Sequence, residues 1–110
     1  MTRDQLLQVV AEYGDLLRSL GLHSEHIANK DEAFDVTRDR EAFLRHLLWA
    51  CDRIPEVIDK LGGFLFCVRY LGCIQGGLAA CGLLTVAQLR ERFGHFVFER
   101  EHYEDGGYGV

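Results

Sequence analysis

Residues Phe64-Leu65-Phe66-Cys67-Val68-Arg69-Tyr70-Leu71-Gly72-Cys73-Ile74-Gln75-Gly76-Gly77-Leu78-Ala79-Ala80-Cys81, followed by Gly82-Leu83, decide the fold. Wound at the α-helical period, the stretch is apolar on nearly every side, with only Arg69 and Gln75 interrupting it. A helix of that kind belongs in the middle of a bundle. Gly62-Gly63 precedes it, and Gly82 with Leu83 beyond it has the form of a glycine C-terminal stop with its apolar contact. The reading is a central apolar helix over about 64–81. Gly72, Gly76 and Ala80, four apart, form a flat stripe where another backbone can approach. The length approaches that of a membrane span, but a central arginine costs about 2.5–3.5 kcal/mol on insertion scales, so no membrane is expected.

Working towards the N-terminus, the segment ahead of this helix carries Leu44, Leu47, Leu48, Cys51, Ile54 and Ile58 on one stripe. Arg38, Glu41, Arg45, Asp52 and Glu56 define its wet side. Thr37 is expected to cap this helix, and Pro55 to kink it or start a new turn. Residues 21–36 have no period and read as a polar connection. At the start of the chain, Thr2-x-x-Gln5 is a capping box, and Leu6, Val9, Val10, Tyr13, Leu16, Leu17 and Leu20 recur on one face as far as Gly21. Gly14 leaves a slot there for a neighbour. Towards the C-terminus, Thr85-x-x-Gln88 repeats the capping box and opens a short helix through Val86, Leu89 and Phe93 that stops at Gly94. The fold class is therefore all-α, a small bundle of about four helices over residues 1–94. An extended C-terminal arm follows over 95–110, where His95-Phe-Val-Phe-Glu is β-like and Asp105-Gly-Gly-Tyr-Gly is flexible.

With 110 residues, 48% of them apolar, the chain needs neither disulfides nor a metal to fold. Its 12 Lys and Arg against 17 Asp and Glu give a net charge of −5, which argues against a direct nucleic-acid binder. Cys51, Cys67, Cys73 and Cys81 show no C-x-x-C spacing and read as reduced core thiols. No basic and apolar leader follows Met1, so a cytoplasmic protein is expected.

From Arg69-Tyr70-Leu71-Gly72-Cys73-Ile74-Gln75-Gly76-Gly77-Leu78, through Gly82-Leu83-Leu84-Thr85 and a charged helix, the chain resembles a group of small bacterial and bacteriophage proteins. Their pattern reads R-W-L-G-F-I-Q-G-x-L and then G-L-x-T-x-x-E-L-R. Leu48-Trp49-Ala50-Cys51-Asp52-Arg53-Ile54-Pro55-Glu56 is similar to that group as well, and the resemblance covers about residues 40–92. It implies an all-helical fold and a phage or prophage setting, in the cytoplasm of a host cell, and it brings no catalytic residues. Tyr70 stands where the pattern has Trp, and the aromatic tail after Gly94 has no counterpart in it.

Trp49 falls on the same face as Arg45, Asp52 and Glu56. An aromatic among charges suits a partner surface, since Trp and Arg dominate binding hot spots; cover by the 21–36 connection or by the tail is the plainer alternative. Arg69 must reach solvent or pair with a carboxylate such as Glu12, Asp52 or Asp59, and a structural salt bridge is the expected role. Gln75 is expected to bond a neighbouring backbone, so that Arg69 and Gln75 together form the polar core. His23 and His26, three apart beside Glu25, lack the further ligands zinc needs and read as solvated loop histidines, with no metal and no cofactor. No thiol has a His and Asp arrangement beside it, and no glycine pair has a phosphate-loop context.

Acidic residues gather at Glu25, Asp31, Glu32, Asp35, Asp39 and Glu41, and again in the tail. A surface of that sign fits a basic partner. Phe96, Phe98, Tyr103 and Tyr108 are too many aromatics to leave wet; they fold back, meet a partner, or pair two copies as a homodimer. The resulting expectation is a non-enzymatic protein–protein interaction protein. In the phage setting it would be an inhibitor, of the anti-CRISPR kind, that occludes a host nucleoprotein defence complex. Trp49, Arg45, Asp52, Glu56, Glu41, Phe96, Phe98 and Tyr103 would carry the contact. The alternatives are a ligand- or metal-binding helical module or small enzyme, and a replication or assembly adaptor.

Overall fold

The computed structural model describes residues 1–27 and 35–93, the side chains of residues 92 and 93 excepted. The C-terminal arm, with Phe96, Phe98 and Tyr103, lies outside the described residues. Four helices follow one another: α1 (Arg3–Ser19), α2 (Arg40–Val57), α3 (Gly63–Ala80) and α4 (Val86–Phe93), and no strand occurs among the described residues.

Local chemistry sets the helix ends. The Thr2 hydroxyl accepts from the Gln5 amide at 3.1 Å while the Thr2 amide donates to Gln5 Oε1 at 2.8 Å. The same reciprocal pair joins Thr85 and Gln88 at 3.0 and 2.8 Å. Each box satisfies two amides that the first helical turn would otherwise leave open, worth about 1 kcal/mol. The second helix departs from expectation. Thr37 does not cap it; Asp39 stands at the N-cap, and its side chain makes no capping bond to the helix. Ahead of it, Asp35 Oδ1 accepts from the Thr37 amide at 2.8 Å and the Thr37 hydroxyl at 2.6 Å, an aspartate turn that leads into the helix two residues later. Pro55 does not begin a new turn, for α2 runs through it to Val57, and the Ile58 amide reaches Ile54 O at 3.0 Å.

The corner between α2 and α3 rests on two glycines with different duties. Gly62 takes φ +72°, a left-handed conformation that side chains resist. Gly63 has no room: a Cβ there would stand 2.0 Å from the Val57 carbonyl oxygen. At the far end of α3, Gly82 at φ +76° lets the Leu83 amide reach back to Leu78 O at 3.0 Å, the expected glycine stop.

One core joins the helices. Leu6, Val10, Tyr13 and Leu17 from α1 meet Leu44, Leu48, Cys51 and Ile54 from α2, with Cys67, Leu71, Ile74 and Leu78 from α3 and Leu89 from α4. Helix α2 lies between α1 and α3, which touch each other less. Close approach happens where glycine allows it, but not along the whole expected stripe. A Cβ on Gly77 would meet Leu47 Cδ1 at 2.9 Å, and one on Gly14 would meet Cys51 Cβ at 3.8 Å. Around Gly76 the space is open, and Ala80 is exposed.

The apolar third helix is present, but its burial is one-sided. Cys67, Leu71, Ile74, Gln75 and Leu78 face inward, whereas Leu65, Phe66, Arg69 and Cys73 are exposed. By length and composition α3 could cross a membrane, and 44% of that span is buried inside the bundle.

Candidate interaction surface

The α2 face that carries Trp49 is largely occupied by the protein itself. Arg45 Nη2 bonds Glu41 Oε1 at 2.8 Å, Arg53 Nη1 bonds Glu56 Oε2 at 2.7 Å, and Arg18 of α1 holds Asp52. Glu41, Asp52 and Glu56 are thus each neutralised within the chain. Arg45 is three-quarters covered, and its Nε is buried with no hydrogen-bond partner among the described residues. Trp49 itself is half-buried. The His26 ring lies 3.9 Å from the indole centroid, so the connection after α1 provides its cover. His46 stacks on the same indole at 5.4 Å and 16°, and the two imidazoles are 5.1 Å apart. His46 Nδ1 accepts from the Ile27 amide at 3.4 Å, and its Nε2 stands 3.4 Å from Tyr70 Oη. Burial, with His26 nearby, pushes the His46 imidazole below its ordinary range.

The expected polar core divides. Gln75 is fully buried, and its Nε2 donates to Tyr13 Oη of α1 at 3.0 Å. Burial pushes the Tyr13 phenol up to about 12. Arg69 is not in the core; it is exposed and makes no ion pair among the described residues. Of the three carboxylates expected as its partner, Asp52 is engaged with Arg18 and Asp59 with Arg3 at 2.7 Å. Because α3 turns Arg69 outward, the desolvation cost that called for a partner does not arise.

The thiols are free rather than bridged. Cys51 and Cys67 are buried as expected, and burial pushes the Cys51 thiol up to about 12. Cys73 is a correction to the core reading, since it is exposed, and Cys81 is half-exposed. His23 and His26 have no partners for a metal: no group of three or more His, Cys, Asp or Glu is placed to hold one among the described residues. A shallow groove of about 210 Å³ between α1 and α2 is lined by Val10, Gly14, Arg18, Cys51, Asp52 and Pro55. The Arg18–Asp52 ion pair lies in its lining, beside Asp15.

One feature had no sequence signal of its own. At the α2–α3 corner Leu61 is fully exposed, Leu65 and Phe66 are 57% and 50% exposed, and Phe64 adjoins them at 38%. These side chains present on the order of 500 Å² of apolar surface, the size of patch that on a monomer often serves a function. The nearby charges Arg3–Asp59 and Arg53–Glu56 are already paired, while Lys60 and Arg69 make no ion pair among the described residues. The apolar run that made α3 look buried throughout in fact supplies both the core and this corner. Compared with family models, curated proteins and solved structures, the chain matches no family model, no curated protein and no solved structure.

Proposed function

We propose that this chain is a non-enzymatic interaction protein that docks a protein partner through the α2–α3 corner. The observation that carries the reading is the exposure of Leu61, Phe64, Leu65 and Phe66 within six residues of one another, whereas the other exposed large apolar side chains among the described residues, Leu20, Val36 and Val86, are scattered along the chain. Burying a patch of that size contributes on the order of 10 kcal/mol before the cost of association, enough to anchor a specific complex. Arg69, one turn further along α3, supplies the kind of residue that anchors hot spots. This shifts the contact from the Trp49 face of α2, whose charges are matched internally, to the neighbouring α2–α3 corner.

The phage setting implied by the resemblance over residues 40–92 suggests the finer form, in which the partner is a host nucleoprotein defence complex inhibited by occlusion. The net charge of −5 supports it, because an acidic protein is steered towards a basic, nucleic-acid-binding surface. Binding to purified candidate complexes should fall at least tenfold on Leu65→Glu with Phe66→Glu, with helix content unchanged. Equal binding by this variant and the wild type would remove the corner from the account.

A further inference from the structure

We propose that His46 is an acid-operated latch: a proton on its Nδ1 releases Ile27 from α2 and loosens the cover that the His26 end of the segment 22–27 gives Trp49. The geometry defines the neutral state. Because Nδ1 accepts from the Ile27 amide, the neutral ring carries its hydrogen on Nε2, which donates to Tyr70 Oη. The only lone pair that an added proton can take is therefore the one holding Ile27. Protonation turns that acceptor into a donor facing a donor, and the tie is lost.

The surroundings reinforce the effect. His26 lies 5.1 Å from His46, so charging both rings sets two cations side by side in a partly buried site. A protonated His26 would gain from the indole face 3.9 Å away, which favours its staying, but that attraction does not restore the Ile27 bond. The other titratable or charged groups at the cluster are His23 and Glu25 in the segment, the Glu41–Arg45 pair on α2, and Tyr70 with Cys73 on α3. The Glu25 amide also bonds Arg45 O at 3.2 Å, a second tie that does not depend on the imidazoles. Imidazole is the side chain whose ordinary range lies between about pH 5 and 8, so the histidines set the response there. Burial places the His46 transition on the acid side of that range.

The latch adjoins the proposed docking corner, since Tyr70 packs edge-on against Phe66 at 5.3 Å. Opening would extend the apolar surface from Phe66 through Tyr70 to Trp49; this consequence rests on the docking reading, whereas the latch itself does not.

Trp49 is the single tryptophan, so its emission reports the latch directly. On the full chain, titrated from about pH 8 to pH 4.5 with circular dichroism followed in parallel, emission should shift red in one step centred below about pH 6.5, with helix content constant. The Ile27 amide should lose protection from hydrogen exchange about tenfold or more across the same step. His46→Asn keeps an acceptor near the Nδ1 position that cannot be protonated, and it should hold the neutral emission throughout. His26→Gln, by removing the second charge, should move the step to higher pH. A flat wild-type titration, an identical step in His46→Asn, an unmoved step in His26→Gln, or loss of helix with the step would each overturn the proposal. Leu65→Glu with Phe66→Glu should leave the step unchanged, so failure of the latch and failure of the docking surface are read separately.

Discussion

The amide Nε2 of Gln75 in α3 donates to the hydroxyl oxygen of Tyr13 in α1 at 3.0 Å, and both side chains are fully buried. This bond ties together α1 and α3, which touch each other less than either touches α2. Tyr13→Phe and Gln75→Leu should each destabilise the bundle by about 1 kcal/mol or more, because each removes a fully buried hydrogen bond. The double variant should cost less than the sum, since it removes both partners together. Urea unfolding of the four proteins checks this, and strict additivity would show that the bond contributes nothing of its own.

Neighbouring glycines of α3 should respond in opposite ways. Gly77→Ala forces a methyl to within 2.9 Å of Leu47 and should cost about 1–3 kcal/mol through overpacking. Gly76→Ala enters open space and should stabilise the helix by about 0.5–1 kcal/mol through backbone propensity. Thermal unfolding of both variants is the measurement, and a shift of the same sign in both would contradict the packing of α3 on α2.

Stability should fall in two acid windows. His46 has a folded-state value below its unfolded one, so the folded state binds fewer protons; its contribution is complete above about pH 6.5 and is lost as pH falls below that. Asp35, held down mainly by the Thr37 hydroxyl, and Asp59, held down by the Arg3 guanidinium, carry the same sign but act only below the ordinary carboxylate range. A melting temperature followed against pH should therefore be level near neutrality, fall first as pH drops below about 6.5, and fall again below about pH 4. His46→Asn should remove the first fall alone.

Thiol chemistry should follow burial. In the folded protein Cys73 should alkylate at a rate near that of a free thiol and Cys81 more slowly. Cys51 and Cys67 should react only on unfolding, as both are buried and burial raises their thiols. Mass spectrometry of the modified peptides over time reads the order; early modification of Cys51 would contradict its place in the core.

Features set by near neighbours were legible in the sequence. The capping boxes at Thr2 and Thr85, the glycine stop at Gly82 and the Leu44–Ile58 stripe each depend on residues a few positions apart, and the structure places them as read. Features set by distant contacts were not. Gln75 bonds Tyr13, 62 residues away, and Arg69 is turned to the surface by the packing of α3, while Arg3 and Arg18 of α1 reach Asp59 and Asp52. Sequence spacing chose the stripe of Gly72, Gly76 and Ala80 for the close approach, but it is against Gly77 that Leu47 and Phe43 of α2 pack most closely. Of the two readings of Trp49, cover by the connection is the one seen, through His26. The exposed corner escaped notice because a helix apolar all round gives no periodicity to tell its wet side from its dry side.

The most direct test of the docking surface is site-specific photo-cross-linking in cells, with the probe placed in turn at Leu65 of the corner and at Glu12 on the exposed side of α1. The docking reading predicts a discrete cross-linked species from position 65, lost when Leu61 and Phe66 are both changed to Glu, and none from position 12. An equal yield from the two positions, or none from position 65, would contradict it.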